Sequence, residues 1–175
     1  GNILANCRFE GGDYGFVAGG WNRRFVDKTF LWKCTFEDQN MHGVLIGSAI
    51  DEETRRGNGL WMHTALRDCT VRNSGEAGVV IMSTTGRPNF LDHCLIENCG
   101  RKDGGPYVEF MKGGHSCAAA YHTTIRRTSG PPANPLLRVG GYVWARFQDV
   151  HISGAEGNTA VAIATHVTYT HLRAH

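Results

Sequence analysis

The amino-acid sequence predicts an all-β solenoid, a parallel β-helix of about six turns cut from a longer chain. Three observations carry this: a repeated apolar signature, a second apolar run in every repeat, and the near absence of amphipathic helical periodicity. The signature begins at LANCRFEGG from Leu4 and returns as LWKCTFEDQ from Leu31, LRDCTVRNSG from Leu66 and LDHCLIENCG from Leu91. It continues as AYHTTIRRTSG from Ala120 and FQDVHISG from Phe147. With Cys7, Cys34, Cys69, Cys94, Thr123 and Val150 as anchors, the intervals are 27, 35, 25, 29 and 27 residues.

The elements follow in order from that alignment. Three places before each anchor stand Leu4, Leu31, Leu66, Leu91, Ala120 and Phe147, and two places after it stand Phe9, Phe36, Val71, Ile96, Ile125 and Ile152. All twelve are apolar between mostly polar neighbours, the pattern of a short strand with one face inward. After a glycine-rich gap each repeat carries a second apolar run: GFVAG, HGVLIGS, AGVVIMS, YVEFMKGG, PLLRVGG and TAVAIAT. No single turn buries such a face alone, so neighbouring turns must stack. A closed barrel or sandwich is the alternative. The one helical piece expected is Asp51 to Arg56, inside the 35-residue interval.

Composition narrows the function classes. The 175 residues carry 18 Lys plus Arg against 16 Asp plus Glu, a balance without the basic stripe of a nucleic-acid binder. No apolar run approaches the ~18 residues of a membrane span. Glycine, at 23 residues, is nearly twice its usual share of ~7% and supplies the turns. The anchor cysteines read as a buried thiol ladder, because free cysteine behaves as a small hydrophobe and no zinc spacing is present. Cys99 and Cys117 fall outside that column. Asn73 and Asn98, four places after their anchors, suit turns of left-handed geometry. Glu37, Arg72, Glu97 and Arg126, three places after theirs, are expected to pair along the stack, while Asn6, Lys33, Asp68, His93, His122 and Asp149 form a second outward row.

The pattern L-x-x-C-x-I-x-N-x-G resembles the right-handed parallel β-helix repeat of pectate-lyase-like proteins over roughly residues 2–165. Two stretches, VEFMKGGHS and PLLRVGG, resemble the alginate-lyase and chondroitinase-B family of polysaccharide lyases. That resemblance implies Lys112 as the base of a β-elimination, Arg138 as the acid and Glu109 as a calcium ligand. Such chemistry needs the uronate carboxylate neutralised and a lysine of lowered pKa. Substrate contacts are expected from His115, Tyr107 and Trp144. Calcium is then the expected cofactor, a polysaccharide the partner, and an extracellular, periplasmic or cell-surface site the location. A glycoside hydrolase, which needs paired carboxylates, a carbohydrate-binding or adhesive solenoid, and a structural spacer are the alternatives. Trp21, Trp32, Trp61 and Trp144 are candidate sugar platforms, with Trp32 expected to pack beside the core column. His42, His63, His93 and His122 form no H-x-H or H-E-x-x-H set and read as surface or turn residues. Residues 1–166 are expected to be the solenoid. The final VTYTHLRAH, 167–175, departs from the repeat and resembles translated sequencing-adapter DNA, and so is expected to be a non-native tail.

Overall fold

A computed structural model describes residues 2–18, 28–46, 63–82, 88–102, 104–111, 116–132, 135–140, 143–155, 159–164 and 167–174. The expected helical piece at 51–56, together with Trp21 and Trp61, lies outside them. Each of the first five repeats folds as one coil of three short strands, and in the sixth the first two merge into one long strand. The first coil holds β1 (Asn2–Ala5), β2 (Arg8–Glu10) and β3 (Phe16–Ala18), and the second β4 (Lys28–Trp32), β5 (Thr35–Glu37) and β6 (Val44–Ile46). Then come β7 (His63–Arg67), β8 (Thr70–Arg72) and β9 (Val79–Met82), followed by β10 (Pro88–Asp92), β11 (Leu95–Glu97) and β12 (Val108–Met111). The chain closes with β13 (Ser116–Tyr121), β14 (Thr124–Arg126) and β15 (Leu137–Gly140), then β16 (Val143–Ser153), β17 (Val161–Ala164) and β18 (Val167–Ala174).

Every ladder is parallel. The larger sheet runs β1-β4-β7-β10-β13-β16 and returns through β14-β11-β8-β5-β2, because the long β16 passes through the corner that divides the other coils. The smaller sheet is β17-β15-β12-β9-β6-β3. Four inner coils, from β4 to β15, are covered on both sides, so the enclosed length is about four turns rather than six equivalent ones. β18 pairs with β16 with register shifts at Phe147/Gln148 and Gln148/Val150, unlike the even ladders elsewhere.

The core is the predicted set of columns. Leu31, Leu66 and Leu91 stand opposite one another in register and are fully buried, as are Phe36, Val71 and Ile96. Burial of each such side chain contributes about 1.5–3 kcal/mol. Phe9 stacks on Phe36 with centroids 5.0 Å apart.

What the repeat left hidden is how the chain turns between the first and second strands. Asn6, Lys33, Asp68, His93, His122 and Asp149 are exposed, as an outward row should be, but each sits in the left-handed region at φ +47° to +55°. One left-handed residue per coil bends the strand, and the anchor that follows swings inward. The anchor then closes the corner: the thiols of Cys7, Cys34, Cys69 and Cys94 donate to the carbonyls of Ala5, Trp32, Arg67 and Asp92, at 3.3–3.4 Å. Thr123 Oγ1 donates likewise to the Tyr121 carbonyl at 2.8 Å, which explains why a hydroxyl can replace a thiol in the column. Asp38, Asn73 and Asn98 make a second left-handed corner, as the asparagines predicted. Behind it Gln39, Ser74 and Cys99 form a second buried column, which accounts for Cys99. Gly78 leads into β9 beneath that column, and a Cβ there would meet Cys99 Sγ at 2.6 Å.

Cys7, Cys34, Cys69, Cys94 and Cys99 are free thiols. The contact with Cys69, together with burial, pushes the Cys94 thiol well up, and burial pushes Cys99 up to about 11. Reactivity follows the thiolate. In the folded chain at mildly alkaline pH, Cys94 and Cys99 are therefore expected to stay unmodified by a thiol-reactive disulfide reagent. Mass mapping should find both modified only after denaturation.

The charge row pairs as expected. Arg72 Nε donates to Glu37 Oε2 at 2.6 Å, Arg126 Nε donates to Glu97 Oε1 at 2.7 Å, and Arg8 also pairs with Glu37. The flanking arginines cover Glu37 to 3% exposure. The Arg72 hydrogen bond, against the cost of desolvation, holds the Glu37 carboxyl below the usual range. Its folded pKa is thus lower than its unfolded one. The stabilisation is present above the unfolded value of about 4.3 and is lost as pH falls through the folded value. Urea midpoints should drop across that acid window, and Glu37→Gln should flatten the drop.

Candidate functional site

The lyase-like residues fall on the outer face of the smaller sheet. Val80, Glu109 and Arg138 are partners in register, as alternation about the inward Val79 and Ile81 requires. Arg138 Nη1 donates to Glu109 Oε1 at 3.1 Å, so the guanidinium and carboxylate engage one another. Glu109 stands between Val80 on one side and Arg138 on the other. Lys112 and His115 lie outside the described residues, as does the side chain of Trp144, whose backbone in β16 pairs with Cys117 of β13. Tyr107 is 1% exposed and belongs to the core, where burial raises its phenol pKa; it is not placed to touch a substrate.

The larger sheet offers a different face. Its outward row is Ile3, Phe30, Ala65, Phe90 and Ala119, each opposite the next in the parallel register. A second outward row, Ala5, Trp32, Arg67, Asp92 and Tyr121, runs beside it toward the corner. Small Ala65 between Phe30 and Phe90 leaves a depression, and these three with Ile3, Trp32, Arg67 and Asp92 line a groove of about 630 Å³ with Lys33 and Asp68 at its rim. The floor is apolar and the rim mixes both signs of charge.

Trp32 is the exposed aromatic of these rows, at 44%, with Ile3 at 73% beside it. Packing beside the core column was expected for Trp32; instead Leu31 takes the inward place, and the period of two turns Trp32 out. Its indole N–H donates to Asp68 Oδ2 at 3.0 Å, and Lys33 Nζ lies 4.9 Å from the ring centroid. These contacts fix the orientation of the ring while leaving it accessible.

Two rungs from Trp32 in the second row stands Asp92, 18% exposed. His93 Nδ1 lies 2.8 Å and His122 Nδ1 3.2 Å from its Oδ1, and Arg67 Nε lies 3.5 Å from its Oδ2. Burial opposes ionisation of Asp92, yet the hydrogen bonds from His122 and His93 prevail and hold its carboxyl below the usual range. The two imidazoles stack at 4.5 Å between centroids. His42, His63, His93 and His122 are thus not equivalent: His93 and His122 occupy the same corner of successive coils. The signal was already in the row of residues preceding the anchors.

In comparisons with protein-family models, curated proteins and solved structures, nothing matches this chain.

Proposed function

We propose that this chain is a carbohydrate-active solenoid whose outer groove on the larger sheet binds a saccharide chain. The carrying observation is Trp32, an accessible indole plane held by Asp68 beside an apolar floor and a charged rim. Sugars present apolar C–H faces and hydroxyl edges, so they suit one flat aromatic surface together with nearby polar groups. Arg67 and Lys33 at the groove add cations that favour uronate-bearing polymers. Parallel β-solenoids provide such long regular faces.

A polysaccharide lyase acting by β-elimination is the second reading, favoured by the Glu109–Arg138 pair on the outer face of the smaller sheet. It assigns Lys112 as base and Arg138 as acid. The two readings separate in one experiment. Alginate, pectate and glycosaminoglycan oligomers are titrated into the chain while both binding heat and the ultraviolet absorbance of unsaturated uronide are followed. Binding without an absorbance rise supports the groove as a binding face. A rise abolished by Lys112→Ala supports the lyase, and neither signal in folded protein overturns both.

A further inference from the structure

The geometry points to a transition-metal site at the corner of the third and fourth inner coils, formed by Asp92, His93 and His122. One ring nitrogen each of His93 and His122 and a carboxylate oxygen of Asp92 all lie within 4.8 Å of one another, and both Nδ1 atoms face Asp92 Oδ1. Donor atoms bound about 2.0–2.2 Å from a tetrahedral ion stand roughly 3.3–3.5 Å apart. The two imidazole-to-carboxylate separations, 2.8 and 3.2 Å, need to open only slightly to admit one.

The solenoid itself sets this arrangement. Both histidines occupy the left-handed corner, at φ +52° and +47°, in adjacent coils. Their backbones are held one rung apart: His93 N–H donates to the Tyr121 carbonyl and His122 N–H to the Gln148 carbonyl. Stacked rings on neighbouring rungs bring like nitrogens to one side, and Asp92, directly before His93, faces both.

An independent observation concerns the far side of His122. Its Nε2 faces Asp149 Oδ2 at 3.5 Å, from the corner of the next coil. An ion bound at Nδ1 displaces to solvent the proton that now faces Asp92, and the carboxylate on the outer nitrogen holds the ring's remaining proton at Nε2, as carboxylates behind metal-bound histidines do. Two nitrogens and one carboxylate suit zinc and its neighbours rather than calcium or magnesium, which prefer all-oxygen sets. Three protein donors leave a fourth position for water. The ion site does not depend on the saccharide reading, although Asp92 also lines the groove.

The test is a titration of the whole chain with Zn²⁺, and with Co²⁺ for its visible ligand-field bands, near neutral pH. The variants are His93→Asn and His122→Asn, since asparagine tolerates the left-handed corner but does not supply the imidazole. A further variant, His171→Asn with His175→Asn, removes the histidines of the tail. The expected result is one ion per chain with tetrahedral cobalt bands, a raised thermal midpoint, and at least about tenfold weaker binding in either corner variant. The tail variant should bind as the unaltered chain does. Binding unchanged in His93→Asn and His122→Asn, or lost with the tail histidines, would overturn the site. So would no saturable binding in a chain shown by circular dichroism to be folded.

Discussion

Leu66→Ala is expected to lower the free energy of unfolding by about 2–5 kcal/mol, the range for deleting a buried leucine side chain in a core that closes incompletely around the cavity. Leu66 is fully buried, with Leu31 on one rung and Leu91 on the other, and both contacts are lost together. A solenoid coil rests only on its neighbours, so the defect weakens two interfaces rather than one. Backbone hydrogen bonds hold the rungs at about 4.8 Å, which limits how far the stack can collapse. Urea unfolding followed by circular dichroism measures the change. Arg126→Ala is the comparison, because a partly exposed ion pair contributes at most about 1 kcal/mol. Equal losses in the two variants would contradict the stacked core.

Trp32→Ala is expected to weaken saccharide binding by roughly 30-fold or more, the loss that follows when a central aromatic contact worth about 2 kcal/mol is removed. The ring is already fixed by Asp68 and Lys33, so a sugar that stacks on it orders little further side chain. Its removal leaves the inward Leu31 and the ladder through β4 untouched, so thermal stability should change little. Asp68→Asn keeps the ring and leaves an amide that still offers an oxygen to the indole N–H. It should cost less than Trp32→Ala. Titration calorimetry with the tightest oligomer of the panel gives both numbers.

The apolar columns were legible in the sequence because stacking demands the same kind of residue at the same place in every coil, whatever the loop lengths between. Asn73 and Asn98 were legible as left-handed turns because their side chains favour that conformation. The first corner was not: Lys33, His93 and His122 share it with Asn6 and Asp68, so residue type alone gave no common signal. The groove was hidden for a related reason. Phe30 and Phe90 lie outside the aligned columns, and only the register, which sets Ala65 between them, opens a depression. The Glu109 and Arg138 alignment was legible, whereas their direct pairing at 3.1 Å depended on side-chain reach. Tyr107 went the other way: it occupies the position of Gly78 in the preceding coil, directly before the smaller-sheet strand, and fills the core there.

The measurement closest to the central claim is a side-by-side calorimetric titration of the unaltered chain, Trp32→Ala and Arg138→Ala with the same uronate oligomer. If the outer face of the larger sheet is the functional one, Trp32→Ala loses binding and Arg138→Ala keeps it. Loss in Arg138→Ala with Trp32→Ala intact would contradict the account and move the site to the smaller sheet.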